Sequence, residues 1–285
     1  PATLCEQWQT EMIDKLGIPC ARWETQKKLW LDSEDRAISP VGREQIAHCP
    51  LRIGIVSTGL MMRDSLEKQH LMGLRFGLVI LDEAHKARSR QGFGSNAGTP
   101  NELLSFAKAI AERSDHVLLG TATPIQTRSE DLWDLMRILH QGKGRFVLGN
   151  EYARWHQPEA VLPYISGQSD VLEQELGWEL LRSPLPPVNS TDEPRARRLI
   201  SAIRQDLSIL DGHIEISAPL TQLSDDTREI LEEELEREIS GAKFFQRENP
   251  FIRHIVLRKR ADLEEAGLIP RIGVDLHPDR RLMRE

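Results

Sequence analysis

Two stretches of the chain are continuous apolar runs of strand length that stop at small polar or acidic residues. Residues 76–85 read FGLVILDEAH, and residues 116–126 read HVLLGTATPIQ. Around them the hydrophobic spacing switches between helix and strand periods. Leu4, Trp8 and Met12 recur every four residues and predict a helix over 2–17 that stops at Gly17. Leu51 to Val56 predicts a short strand closing on Ser57 and Thr58. A helix is expected over 60–72, then the strand 76–81, a Gly/Ser/Asn-rich loop over 91–100 and a helix over 101–112. The strand 116–120 follows, then a helix over 129–139 with Leu132, Leu135, Met136 and Leu139 on one face and Ser129 near its start. Residues 20–50 carry no clear period. Strands alternating with helices predict an α/β fold with a mainly parallel sheet joined by right-handed crossovers.

After about residue 145 strand signals become scarce. Helices are expected over 170–182, 195–210 and 225–240. The last is strongly acidic, with Ser224 as a cap, a narrow stripe of Leu231, Leu235 and Ile239, and charges that read as a solvated face. Between the first two, SPLPPVNSTDEP (183–194) reads as a Pro-rich linker or exposed loop.

The chemistry sits at the ends of the two apolar runs. In open α/β sheets the carboxyl edge of the strands is where ligands bind. Asp82 and Glu83 deliver two acids there, with His85 close behind. One acid can organise magnesium through water while the other polarises an attacking water. The same residues also suit an ordinary strand-to-helix turn with Asp82 as N-cap. Thr121, Ala122 and Thr123 precede Pro124. Their hydroxyls can bond across to an acid–histidine pair on a neighbouring strand, although Thr-Pro is also a good helix start.

At 285 residues, with 39% hydrophobic and 28% charged, the chain can bury a sizeable core. Its net charge of −7 gives no global basic signature for nucleic acid, which leaves room only for a local basic groove. Cys5, Cys20 and Cys49 show no metal-type spacing and suit a reducing compartment. His213, His254 and His277 are too scattered to make a metal site. No apolar run reaches membrane-spanning length and no signal peptide opens the chain, so a cytoplasmic location is expected. The chain opens on Pro1, not Met, and is expected to start inside a longer protein.

LVILDEAHKARS and LLGTATPIQTRSEDLWDLMRIL resemble motifs II and III of helicase superfamily two. More narrowly, TATPIQ with LWDL resembles the Snf-type DNA translocases, which include chromatin remodellers and HepA-like proteins. PATLCEQWQTEM is similar to that family's motif Ia, and IGIVSTGLMMRD to its motif Ib. NPFIRHIVLRKRADLEEAGLIPRIGVDLHP resembles the segment that leaves the first lobe for the second. The resemblance implies a RecA-like parallel sheet flanked by helices, the first lobe of a P-loop NTPase, over 1–145. It also implies a mostly helical insertion over 146–250 and a return segment over 251–285.

ATP and magnesium are the implied ligands, and double-stranded DNA the implied track. Asp82 would organise magnesium, and Glu83 would be the catalytic carboxylate. His85, Thr121, Ala122 and Thr123 would couple nucleotide state to DNA. Gln7, Trp8, Ser57 and Thr58 would lie near the DNA, where hydroxyls and amides at helix starts suit phosphate contact; for Trp8, a core position on the Leu4–Met12 stripe is the favoured reading. The family's Gly-Lys-Thr loop, which cradles phosphates, has no match here: Gly142-Lys143 lacks the following hydroxyl residue. That loop is expected upstream of Pro1, and the second RecA-like lobe beyond the chain, so turnover by this piece alone is expected to be weak or nil. Arg253, Arg258, Lys259 and Arg260 would serve an inter-lobe hinge or touch DNA, whereas Arg195, Arg197 and Arg198 read as surface residues. A non-catalytic remnant that keeps a DNA- or partner-binding surface is the alternative to the motor.

Overall fold

The computed structural model describes residues 2–90, 99–123, 130–142, 147–171, 173–191, 193–256, 264, 266 and 267. Helix α1 (Ala2–Leu16) ends as expected, because Gly17 takes a left-handed φ of 65° and its N–H reaches back to the Ile13 carbonyl. The stretch without a period then forms a hairpin. Strands β1 (Ala21–Glu24) and β2 (Leu29–Leu31) pair antiparallel, with Lys28 left-handed in the turn. Here a short turn hides the alternation that makes longer strands readable. β3 (Gly54–Ile55) runs parallel to β1 and is much shorter than the strand expected over 51–56.

The helix expected over 60–72 is two helices, α2 (Thr58–Met61) and α3 (Leu66–Met72). The break comes at Ser65, whose hydroxyl accepts from the Lys68 N–H and starts a new helix. β4 (Phe76–Leu81), α4 (Glu102–Glu112), β5 (Ser114–Leu119) and α5 (Glu130–Gln141) fall close to expectation, with Asn101 capping α4. Ser129 lies outside the described residues, as does most of the predicted loop over 91–100.

β4 and β5 are parallel neighbours, with Leu78 opposite His116 and Ile80 opposite Leu118. The described pairings make two small sheets, β2-β1-β3 and β4-β5, not one continuous parallel sheet. A single hydrophobic cluster nevertheless lies under both, from Trp23 and Trp30 through Leu103 and Leu104 to Leu135 and Ile138. One face of β4–β5 is left bare: Leu78, Ile80 and Leu118 are 54%, 50% and 56% exposed. Parallel strands are normally covered on both faces, so this face is unlike a finished α/β core.

α5 turns its other side, Trp133 and Met136, into a second cluster. That cluster is built by α6 (Pro158–Ile165), α7 (Gln174–Arg182), α8 (Pro194–Asp206), α9 (Asp225–Glu236), α10 (Phe244–Arg247) and α11 (Pro250–His254). Its tryptophans bury their rings and satisfy their N–H groups on carbonyls: Trp133 on Trp155, Trp155 on Leu180, Trp178 on Ala218. α7 meets α9 where a Cβ on Gly177 would stand 2.5 Å from Leu235 Cδ1.

Two expectations for this half need correction. The Pro-rich segment is no exposed linker. Ser183, Leu185 and Thr191 are buried, and the buried Arg204 guanidinium donates to the carbonyls of Leu185 and Pro186 as well as Leu210 and His213. The acidic helix is capped by Ser224 and buries Leu231 and Leu235, but Glu234 is buried too, held by Arg237 at 3.0 Å. Ile239 lies beyond the helix, bridged to Ala242.

Candidate functional site: an acidic turn facing a threonine loop

The ends of β4 and β5 are tied together by backbone. The Gly120 N–H donates to the Leu81 carbonyl and the Ala84 N–H donates to the Gly120 carbonyl, both at 2.9 Å. This pair of bonds brings DEAH and TAT face to face. Glu83 sits at φ 53°, a left-handed conformation uncommon for any residue but glycine. It turns the chain from strand into a single 3-10 turn, Ala84–Lys86. Ala84 and Ala87 are small enough to bury against the cluster beneath, and Asn101 holds the Lys86 carbonyl at 2.7 Å. Among the described residues Asp82 caps no helix: its Oδ1 accepts only the next N–H, that of Glu83, at 2.9 Å.

His85 joins the two loops. Its Nδ1 lies 3.1 Å from Glu83 Oε2 and 3.1 Å from Thr121 Oγ1. A carboxylate can only accept, so contact with Glu83 requires the proton on Nδ1. Thr121 Oγ1 also accepts the Thr123 N–H at 3.2 Å, which suits an oxygen acting as acceptor. One N–H is therefore shared between the acid of one loop and the hydroxyl of the other. Ala122 and Thr123 are exposed, and Pro124 onward to Ser129 lies outside the described residues.

Trp8 is not a core residue. It is 39% exposed, and its Nε1 donates to Asp82 Oδ2 at 3.1 Å. The stripe Leu4–Trp8–Met12 gave no signal of that contact, because it joins residues 74 apart. Gln7 is exposed and bonds Glu11 on its own helix. Ser57 precedes the four-residue α2 without its hydroxyl capping it, and Thr58 begins that helix. Among the described residues no hydrogen bond or ion pair joins Gln7, Ser57 or Thr58 to the acidic turn.

Sequence reasoning missed Asp134. It is 3% exposed and accepts from Ser89 N–H at 2.6 Å, Ser89 Oγ at 3.0 Å and Arg137 Nη1 at 3.3 Å. Arg137 in turn donates to the His156 carbonyl at 3.2 Å. The segment after the acidic turn is thus linked through α5 to the helical half. The available signal was an acid beside Trp133 and Leu135, two residues that α5 buries.

The basic cluster near the end divides. Arg253 is packed 4.0 Å from Glu248, and burial pushes its guanidinium pKa down to about 10 against the pull of that carboxylate. Such a group is no open contact for DNA phosphates. Arg258, Lys259 and Arg260 lie outside the described residues. Arg195, Arg197 and Arg198 are exposed, as expected. A polar cavity of about 560 Å³ opens in the helical half, lined by Asn150, Arg154, Glu179 and Arg182 among others. Arg154 already pairs with Glu179, and Arg182 already donates to the Ser217 and Ala218 carbonyls.

The chain is 28% identical over 142 residues to an uncharacterized ATP-dependent helicase, YqhH, of Bacillus subtilis (strain 168). Over half its length, the chain resembles a helicase. The match takes in 50% of this chain and 20% of the relative. No family model matches the chain. No helix among the described residues is long and apolar enough to cross a membrane.

Proposed function

We propose that the chain is part of the first lobe of an ATP-dependent, helicase-like translocase of the Snf type, which couples ATP hydrolysis to movement on double-stranded DNA. The observation that carries this reading is the shared His85 N–H, 3.1 Å from both Glu83 and Thr121. It gives the acid that would polarise water a direct line to the neighbouring loop. Movement of the Glu83 carboxylate leaves the N–H wholly to Thr121, so the position of the acid is felt in the loop that follows β5. The similarity to an ATP-dependent helicase supports the same reading, as does TATPIQ followed by LWDL. The bare face of β4–β5 supports a larger fold in which another layer covers Leu78, Ile80 and Leu118.

Asp82 fits a hydrated magnesium ion. It offers a hard, partly exposed carboxylate at a strand end, and among the described residues no three-residue cage competes for that role. When bound there, magnesium would neutralise charge on the transferred phosphoryl group. Asp82 would hold it through water, Glu83 would orient and deprotonate the attacking water, and His85 would keep Glu83 in register with Thr121. No Gly-Lys-Ser or Gly-Lys-Thr run in the 285 residues provides a phosphate cradle. The loop is expected upstream of Pro1 under this reading; the alternative reading is a non-catalytic binding module.

The deciding experiment is the ATPase activity of the longest native form of the protein, with and without duplex DNA. Stimulation by DNA, with a loss of about a hundredfold or more in kcat for Glu83→Gln, is expected. Turnover untouched by that substitution would overturn the catalytic assignment and leave the binding module.

A further inference from the structure

We propose that Trp8 is a gate on Asp82: its indole N–H holds the oxygen that a hydrated divalent cation would take, so cation seating and the Trp8–Asp82 contact exclude one another. The proposal rests on the reading of Asp82 as the cation-organising carboxylate. The two oxygens of Asp82 are engaged differently. Oδ1 accepts the Glu83 N–H and is fixed by the turn itself. Among the described residues Oδ2 accepts only the indole, from a side chain on a distant helix. A magnesium ion keeps several of its waters and reaches a carboxylate largely through them. Those waters need the same lone pairs as the indole N–H, and the ring beside Oδ2 occupies the volume the hydration shell would fill.

The gate can open without moving its helix. α1 is anchored one residue further on, where the buried Gln9 donates to the carbonyls of Cys20 and Leu31 and accepts from Arg22 Nε. Trp8 itself is only partly buried, so a side-chain rotation carries the indole into solvent while α1 stays docked on the hairpin. Reciprocity follows from linkage. Whatever draws Trp8 aside from outside raises cation affinity at Asp82 by the same factor that the cation raises its affinity for Trp8. A ligand touching the exposed side of α1 near Gln7 and Trp8 would therefore report directly to the cation carboxylate.

The test uses the chain as it stands, with manganese as the spectroscopic substitute for magnesium. Free manganese is followed by electron paramagnetic resonance in the unmutated chain, in Trp8→Phe and in Asp82→Ala; the binding lost in Asp82→Ala defines the site. Trp8→Phe, its fold checked by far-ultraviolet circular dichroism, is expected to raise the affinity of that site roughly three- to tenfold, the net scale of one ordinary hydrogen bond, since water around the partly exposed pair recovers part of the charged bond. A second measurement needs no tryptophan variant. Trp23, Trp30, Trp133, Trp155 and Trp178 are buried, so a soluble quencher reads mainly Trp8. Magnesium is expected to raise quenching in the unmutated chain, and Asp82→Ala to start at the raised level and ignore magnesium. Unchanged or weaker manganese affinity in Trp8→Phe, or quenching indifferent to magnesium, with Asp82-dependent binding intact, overturns the gate and spares the role of Asp82. Manganese binding indifferent to Asp82→Ala overturns both.

Discussion

Asp134→Ala cuts the link between the acidic turn and the helical half. The carboxylate is almost wholly buried and takes two bonds from Ser89 and one from Arg137. Hydrogen bonds to a charged group contribute about 1.5–3 kcal/mol each, and breaking a buried pair costs about 3–5 kcal/mol. Ser89 is only partly buried, and the Arg137 side chain is 33% exposed, so water recovers part of both. The expected loss is therefore about 2–4 kcal/mol, against a total stability of about 5–15 kcal/mol for an ordinary domain. Urea unfolding followed by tryptophan fluorescence should show the midpoint falling by about 1–2 M at a usual slope. Ser89→Ala removes only the 3.0 Å hydroxyl bond and should cost about 1 kcal/mol. Asp134→Asn keeps an acceptor for Ser89 but loses the charge, and should fall between the two. Hydrogen exchange at the Ser89 amide should quicken in Asp134→Ala, because that N–H loses its acceptor. A change of less than about 0.5 kcal/mol, the size of an ordinary surface substitution, would show that the contact holds nothing together.

Arg204→Leu should destabilise the helical half by about 3 kcal/mol or more, measured by urea unfolding, since it strips the buried carbonyls of Leu185 and Pro186 of their donor. Gly177→Val should cost about 1–3 kcal/mol by the same assay, because the added carbons drive into Leu235 where α7 and α9 meet. Burial holds the His156 imidazole below its ordinary 6.5, with Arg137 adding repulsion and the bonds to Asn150 and Gly149 opposing. The unfolded chain then takes up that proton first as pH falls, so stability present above about pH 6.5 is lost below it. Melting temperature against pH should fall less steeply on the acid side in His156→Gln than in the unmutated chain.

Much of the local structure was legible because it depends on neighbours in sequence. The left-handed stop at Gly17, the cap at Ser224, and the apolar runs of β4 and β5 all follow from side chains within a few residues. The order of elements around DEAH and TAT was legible for the same reason. The hairpin of β1 and β2 was not, since strands of four and three residues leave too few alternations to stand out. Nor was the break at Ser65, where one hydroxyl accepting from the Lys68 N–H divides a segment whose apolar face is only rough.

The sequence by itself determined where the candidate residues lie along the chain: two acids and a histidine after one apolar run, two threonines after another. Only the tertiary structure decided how they meet. Parallel pairing of β4 with β5 sets His85 between Glu83 and Thr121, and a helix 74 residues earlier lays Trp8 on Asp82. It also buried Arg204, Glu234 and Asp134, three charged groups that periodicity alone assigns to water. The reason is the same in each case. Periodicity reports which face of an element avoids solvent, whereas a buried charge is stable only beside partners that a distant segment brings to it.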